Sequence, residues 1–183
     1  MSARSRAMTL YRSLAAFIVL LSTVPTLQAD ALQDATEALL RKDYPTALRL
    51  LEPLARAGDP LAQTRLGLLH YHGHGVRESD AQALKWFERA ARQGSAEAQY
   101  HLGNMYAYGL AAVPADADGS RLAAQWYFEA ARQGHADAQY SLGILFLTGS
   151  GVEQNAAEAT RWIERAAAQG HADAAAYQRG RPR

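Results

Sequence analysis

The stretch that decides the fold is DAQYSLGILFLTGSGVEQNAAEATRWIERAAAQG, residues 137–170. The chain carries it twice before. LAQTRLGLLHYHGHGVRESDAQALKWFERAARQG occupies residues 61–94, and EAQYHLGNMYAYGLAAVPADADGSRLAAQWYFEAARQG occupies residues 97–134. The closing glycines, Gly58, Gly94, Gly134 and Gly170, fall at intervals of 36, 40 and 36 residues. Other columns keep step: Gly67, Gly103 and Gly143; Trp86, Trp126 and Trp162; Ala91, Ala131 and Ala167. Self-similarity at this period is the mark of a repeat architecture, in which each unit buries its apolar face against the next.

Each unit reads as two helices. Helix A begins near the Ala-Gln pair and ends just before the loop glycine. In the second unit Ala98, Leu102 and Tyr106 lie at i, i+4, i+8 and form one apolar face. Gly103 sits in that helix interior, where glycine costs about 1 kcal/mol relative to alanine. Its repetition in all three units predicts a close helix contact. Helix B follows the loop. Ser79 with Gln82, and Asn155 with Glu158, have the spacing of a capping box. Gly119 falls in the same column in the second unit and predicts a weaker cap. Ala83, Trp86, Phe87 and Ala90 form an apolar stripe, and Gly94 ends the helix in a left-handed conformation. Residues 31–58 read as an earlier, degenerate pair, with Pro53 expected to kink or irregularise its second helix. After Gly170, HADAAAYQRG reads as a capping helix.

These residues resemble the Sel1-like repeat family, relatives of the tetratricopeptide repeat. The likeness rests on a recurring AQ..LG, an aromatic, G.GV, then A..W...AA.QG, over residues 59–172 and more weakly over 31–58. The second unit departs from it: YGLAAVPADADGS replaces the tight loop and adds four residues. The resemblance implies an all-α, right-handed α-solenoid of stacked antiparallel helix pairs that binds proteins or peptides, often in envelope or signalling assemblies. It implies no catalytic activity. Some cysteine-rich secreted members have been linked to penicillin-like ligands, but this chain has no cysteine. The organisation expected is a signal peptide over 1–29, a capping pair over 30–58, repeats over 59–94, 95–134 and 135–170, and a capping helix with a basic tail over 171–183.

Composition narrows the function. The 183 residues suffice for one continuous core, and 49% of them are hydrophobic. The absence of cysteine excludes disulfides, zinc-thiolate sites and thiol nucleophiles. Arg4, Arg6 and Arg12 precede the apolar run LAAFIVLLSTV and a small-residue segment, the pattern of a secretory signal peptide. Cleavage after Ala29 or after Ala31 fits, and Met8 is an alternative start. An uncleaved inner-membrane anchor is the other reading of this segment. Without those three arginines the chain changes from 19 bases against 18 acids to a net charge of minus two, which gives no basic balance for nucleic acid. With the resemblance implying a protein or peptide as partner, the signal pattern makes the expectation a partner of the cell envelope, with no nucleic acid, no cofactor and no membrane insertion after cleavage.

The sharpest chemical motif is HYHGHG, residues 70–75. His70, His72 and His74 could serve an envelope enzyme or a small-ligand or metal-binding protein. The repeat register argues against it. His70 shares a column with Tyr106 and Phe146, an aromatic packing position, and Gly73 breaks the helix between His70 and His74. There is no HExxH arrangement, no Lys-Ser/Thr after the glycine loops, and no Ser-x-x-Lys motif. His135 and His171 read as solvent-facing or capping residues. The three tryptophans read as core rather than sugar-stacking, and Glu88, Glu129 and Glu164 as one solvated helix-B column.

The expected partner-binding surface is the concave helix-A face: Leu68, Tyr71 and His72; Tyr100, Asn104 and Tyr108; Tyr140 and Ile144. Thr64, Ala107, Leu147 and Thr148 fall in the same columns. Tyrosine offers large area, few rotors and a hydroxyl. Packing between adjacent A helices is the competing reading of Tyr100 and Tyr140. His72 and Tyr108, which vary between units, have no shared packing rule. The loop from Gly109 to Gly119 is a second candidate edge.

Overall fold

The computed structural model describes residues 29–113 and 117–180. Residues 1–28 of the signal peptide expected over 1–29, the tip of the inserted loop at 114–116 and the end of the basic tail lie outside them. Among the described residues there are nine α-helices and no strand. These are α1 (29–40), α2 (Tyr44–Ala57), α3 (Pro60–His72), α4 (Asp80–Arg92), α5 (Ala96–Ala107), α6 (Gly119–Arg132), α7 (Ala136–Thr148), α8 (Ala156–Ala168) and α9 (Ala172–Gly180). The described residues divide into two compact bodies, one ending at Leu54 and the other beginning at Ala55.

In the first body, Ala35, Ala38, Ala47 and Leu51 are buried. Lys42 makes the turn after α1 at φ 58°, a left-handed value that favours glycine. The Asp43 carboxylate accepts the Thr46 amide at 3.2 Å and starts α2. That helix runs unbroken through Pro53, contrary to the irregularity its sequence predicts. Pro53 is exposed, so the carbonyl it leaves unbonded one turn earlier lies on a face where water can reach.

The second body is an α-solenoid of antiparallel helix pairs, α3–α4, α5–α6 and α7–α8, each helix packing on the next, with α9 closing the series. Alanine makes this stacking close. Ala62, Ala98, Ala138 and Ala174 are fully buried, as are Ala83, Ala123 and Ala159. The interior glycines act as the sequence predicts. A Cβ on Gly67 would lie 2.6 Å from the Phe87 ring; on Gly103, 2.6 Å from the Tyr127 ring; on Gly143, 2.6 Å from Ile163. Each helix A thus rests its glycine on the large residue one place after the helix-B tryptophan.

Helix ends follow the sequence with one shift. Ser79 Oγ accepts the Gln82 amide, and Asn155 Oδ1 accepts those of Ala157 and Glu158. The reciprocal arm of the box is replaced: the Ser79 amide donates to the His70 carbonyl and the Asn155 amide to that of Phe146, closing each loop. In the second repeat Gly119 is not the cap. Asp118 is, accepting the Ser120 amide at 2.9 Å, and Gly119 is the first helical residue. A carboxylate is a better acceptor than an absent side chain, and the longer loop supplies one. Gly94, Gly134 and Gly170 follow helix B at φ 90°, 93° and 88°.

Counting from the tryptophans corrects the acidic column. Glu88 and Glu164 occupy the second place after Trp, but in α6 that place holds Phe128. Glu129 stands where α4 and α8 have Arg89 and Arg165.

Candidate functional site

The Ala-Gln pair that starts each helix A builds the junctions between repeats. Gln63 donates through Nε2 to the Ala55 carbonyl, Gln99 to that of Ala91, and Gln139 to that of Ala131, at 3.0–3.1 Å. Each amide oxygen then accepts from the glutamine that closes the following helix B: Gln93 to Gln63 at 2.8 Å, Gln133 to Gln99 and Gln169 to Gln139 at 2.7 Å. Gln63, Gln99 and Gln139 are buried polar residues with donor and acceptor both used. The sequence displays both glutamine columns, but nothing in their spacing declares that they meet.

A second contact joins successive A helices. His135 and His171 cap α7 and α9: Nδ1 accepts the amide of Ala138 at 3.3 Å and of Ala174 at 3.2 Å. This acceptor role places the ring proton on Nε2. Tyr100 stacks on His135 with centroids 4.7 Å apart, and Tyr140 on His171 at 4.6 Å. His171 Nε2 lies 3.2 Å from Asp137. Burial pushes the pKa of His135 down, partly offset by Asp137 and Glu97. Thr64, in the tyrosine column, is fully buried rather than outward-facing. Its hydroxyl lies 3.1 Å from that of Ser95, the cap of α5, and donates to the Pro60 carbonyl at 2.7 Å.

This geometry sorts the residues expected to meet a partner. Tyr100 is half-buried against Tyr127, His101 and His135. Tyr140 and Ile144 are half-buried against the cluster of Ile163, Ala166 and Ala174. Leu68 and Tyr71 pack against the cluster of Phe87 and Leu102. Asn104 accepts the Tyr127 hydroxyl at 2.6 Å, and burial pushes that hydroxyl's pKa up. His72, at the end of α3, and Tyr108, the C-cap of α5, are exposed, Tyr108 by 72%. The helix-A face therefore presents its free chemistry at the loop ends of the helices rather than along their length.

The histidine motif divides likewise. His70 is half-buried at the end of α3, whereas His72 and His74 are exposed with rings stacked at 5.4 Å. Gly73, at φ 66°, ends the helix between them. Among the described residues no three His, Asp or Glu side chains are placed to hold a metal ion. His101, half-buried on α5, lies on Phe87 with ring centroids 5.1 Å apart. Burial, with smaller contributions from His135 and His72, lowers its pKa to about 4. Sequence spacing gave no sign of it, because His101 falls beside the tyrosine column rather than in a motif.

The tryptophans are structural at their inner faces and differ at their outer ones. Trp162 is buried, Trp86 and Trp126 half-buried. The Arg89 guanidinium lies over Trp86 at 4.8 Å and that of Arg165 over Trp162 at 4.6 Å. No helix among the described residues is long and apolar enough to cross a membrane.

Glutamine-locked helix pairs with an interior glycine resting on the partner helix define an α-solenoid of the short-repeat class. The Sel1 repeat model matches residues 35–59, 60–95, 96–135 and 136–171, and the chain belongs to the Sel1 repeat family. A Sel1 repeat protein from Oxalobacter formigenes is 34% identical over 76% of this chain and 56% of its own, with a TM-score of 0.68. The protein c5321, a protective antigen of uropathogenic Escherichia coli strains with an SLR fold, is 34% identical over 81% of this chain and 30% of its own, with a TM-score of 0.62. Cysteine-rich protein B of Helicobacter pylori shares the fold at 21% identity, covering 79% of this chain and 94% of its own, with a TM-score of 0.54. The chain thus spans about half of the first of these and under a third of the second. No protein of curated function matches it.

Proposed function

We propose that this protein is a non-catalytic scaffold or adaptor of the bacterial envelope, holding a protein or peptide against its concave helix-A face. Sel1 repeat proteins in general mediate protein–protein interactions. The observation that carries the reading here is the exposed Tyr108 ring at the end of α5, beside the inserted loop, with His72 at the matching end of α3. A rigid, half-apolar side chain with a hydroxyl, displayed on an ordered helix end, is the kind of group that anchors a partner. The envelope assignment rests on the basic, apolar and small-residue order of the first thirty residues.

A pull-down from envelope extract with the native chain and with a His72→Ala/Tyr108→Ala variant tests it. Both side chains are exposed, so the variant keeps its fold. A protein retained by the native chain and lost by the variant supports the reading; equal retention moves the contact off the helix-A ends. Stoichiometric zinc in the purified protein would favour His70, His72 and His74 as a ligand site instead. N-terminal sequencing of the exported protein tests cleavage after Ala29 or Ala31.

A further inference from the structure

The three repeats treat the outer face of their tryptophan differently. In the first and third, the arginine three places after Trp lays its guanidinium over the ring. In the second that place holds Glu129, and among the described residues no guanidinium lies over Trp126. The preceding place, glutamate in the other two, holds Phe128, which is 41% exposed and meets Trp162 edge-on at 6.1 Å. An open groove of about 480 Å³ results, lined by Tyr106, Leu122, Gln125, Trp126, Phe128 and Glu129. Two carboxylates attend it. Glu129 belongs to its wall, and Glu88 is near enough that its charge adds to burial in raising the Tyr106 pKa, with Arg92 opposing. Both acids pair with an arginine of their own helix, Glu129 with Arg132 at 3.3 Å and Glu88 with Arg92 at 3.4 Å. Exposed pairs of this kind exchange easily.

We infer that this groove on helix α6 takes an arginine side chain from a partner peptide, its guanidinium over Trp126 and paired with Glu129. The protein shows twice, in its own repeats, which group covers this ring. It then replaces that group with the opposite charge at the one repeat where the ring is open. A guanidinium suits the place because it stacks flat on an indole and binds a carboxylate in the same plane. The apolar walls from Leu122 and Phe128 would cover its methylene stem. This site is separate from the exposed helix-A residues His72 and Tyr108, neither of which lines it: its wall comes from α6 and from Tyr106 of α5.

The test is an NMR titration of the full chain with acetyl-Gly-Arg-Gly-amide, following the three indole N–H resonances, with Trp126 assigned from Trp126→Phe. The expected result is a saturable shift at Trp126, little change at Trp86 and Trp162, and no response to the citrulline analogue. Glu129→Arg restores the arginine of the other repeats and should weaken binding roughly tenfold, the size of one partly desolvated cation–π contact. His72→Ala/Tyr108→Ala should leave the titration unchanged, which separates this site from the helix-A face. No shift at Trp126, equal shifts at all three indoles, an equal response to citrulline or indifference to Glu129→Arg would each overturn the inference. A Trp126 shift in Arg181→Ala/Arg183→Ala without peptide would assign the groove to the chain's own tail. A shift that grows with protein concentration would assign it to a second copy. Either would overturn the partner peptide.

Discussion

The junction between the first and second repeats and that between the second and third use different chemistry at the same place. In the first, the hydroxyls of Thr64 and Ser95 meet at 3.1 Å in a partly buried contact. In the second, Tyr100 and His135 stack ring on ring. In both, the later residue caps the next helix A through a side-chain acceptor, Ser95 Oγ to the Ala98 amide and His135 Nδ1 to that of Ala138. What the two junctions share is the cap and the glutamine bond beside it; the covering group is interchangeable. A solenoid can vary its inter-repeat contacts while the backbone register stays fixed, because each contact answers only to its nearest neighbours.

The comparison breaks first at what is common. Gln99→Ala removes the amide that accepts from Gln133 and donates to the Ala91 carbonyl. Leaving buried partners unsatisfied should cost about 3 kcal/mol, read as a lowered urea midpoint by circular dichroism. Gly103→Ala places a methyl against the Tyr127 ring. It should cost about 2 kcal/mol through overpacking, and the same denaturation series checks it. The sharpening experiment is a pair of double-mutant cycles. Tyr100→Ala with His135→Ala, and Thr64→Ala with Ser95→Ala, should each show a coupling of about 1 kcal/mol. Markedly unequal couplings would mean that one junction carries the stack and the other only fills it.

The smallest effect, in pH, separates the two junctions. Burial holds the pKa of His135 below its ordinary 6.5 and lowers that of His101 to about 4. The unfolded chain therefore takes up protons before the folded one does. Stability from both groups is fully present above about pH 6.5, and is lost as pH falls through their lowered folded values. Protonation also turns His135 Nδ1 from acceptor to donor and ends the cap. The Tyr100–His135 coupling should fade in acid while the Thr64–Ser95 coupling persists. Thermal melts from about pH 7 to about pH 5 with His101→Phe as background check this.

Much of the fold was legible because its signals are local. The interior glycines, Ser79, Asn155 and the terminal glycines each announce a contact or a cap within a few residues. Asp118 escaped because the longer loop moved the start of α6 by one place, and register inside an insertion cannot be read from the flanking repeats. The site was less legible. Exposure of Tyr100, Tyr140 and Thr64 depends on Ser95, His135 and His171, more than thirty residues away in the chain for each pair. A column that looks outward on one helix wheel turns inward once the next repeat is stacked on it. His72 and Tyr108 stay exposed because nothing follows them but a loop.

The glutamine bonds also govern where the chain can change length. Gln63 and Gln93 are 30 residues apart, Gln139 and Gln169 also 30, but Gln99 and Gln133 are 34 apart, and the bond is 2.7 Å long all the same. Four extra residues entered between helix A and helix B without disturbing the lock at the opposite end. That end fixes the repeat, and the loop end is open to evolutionary experiment. The α5–α6 connection is thus a natural graft point, at which a foreign segment can be added without altering how the repeats stack.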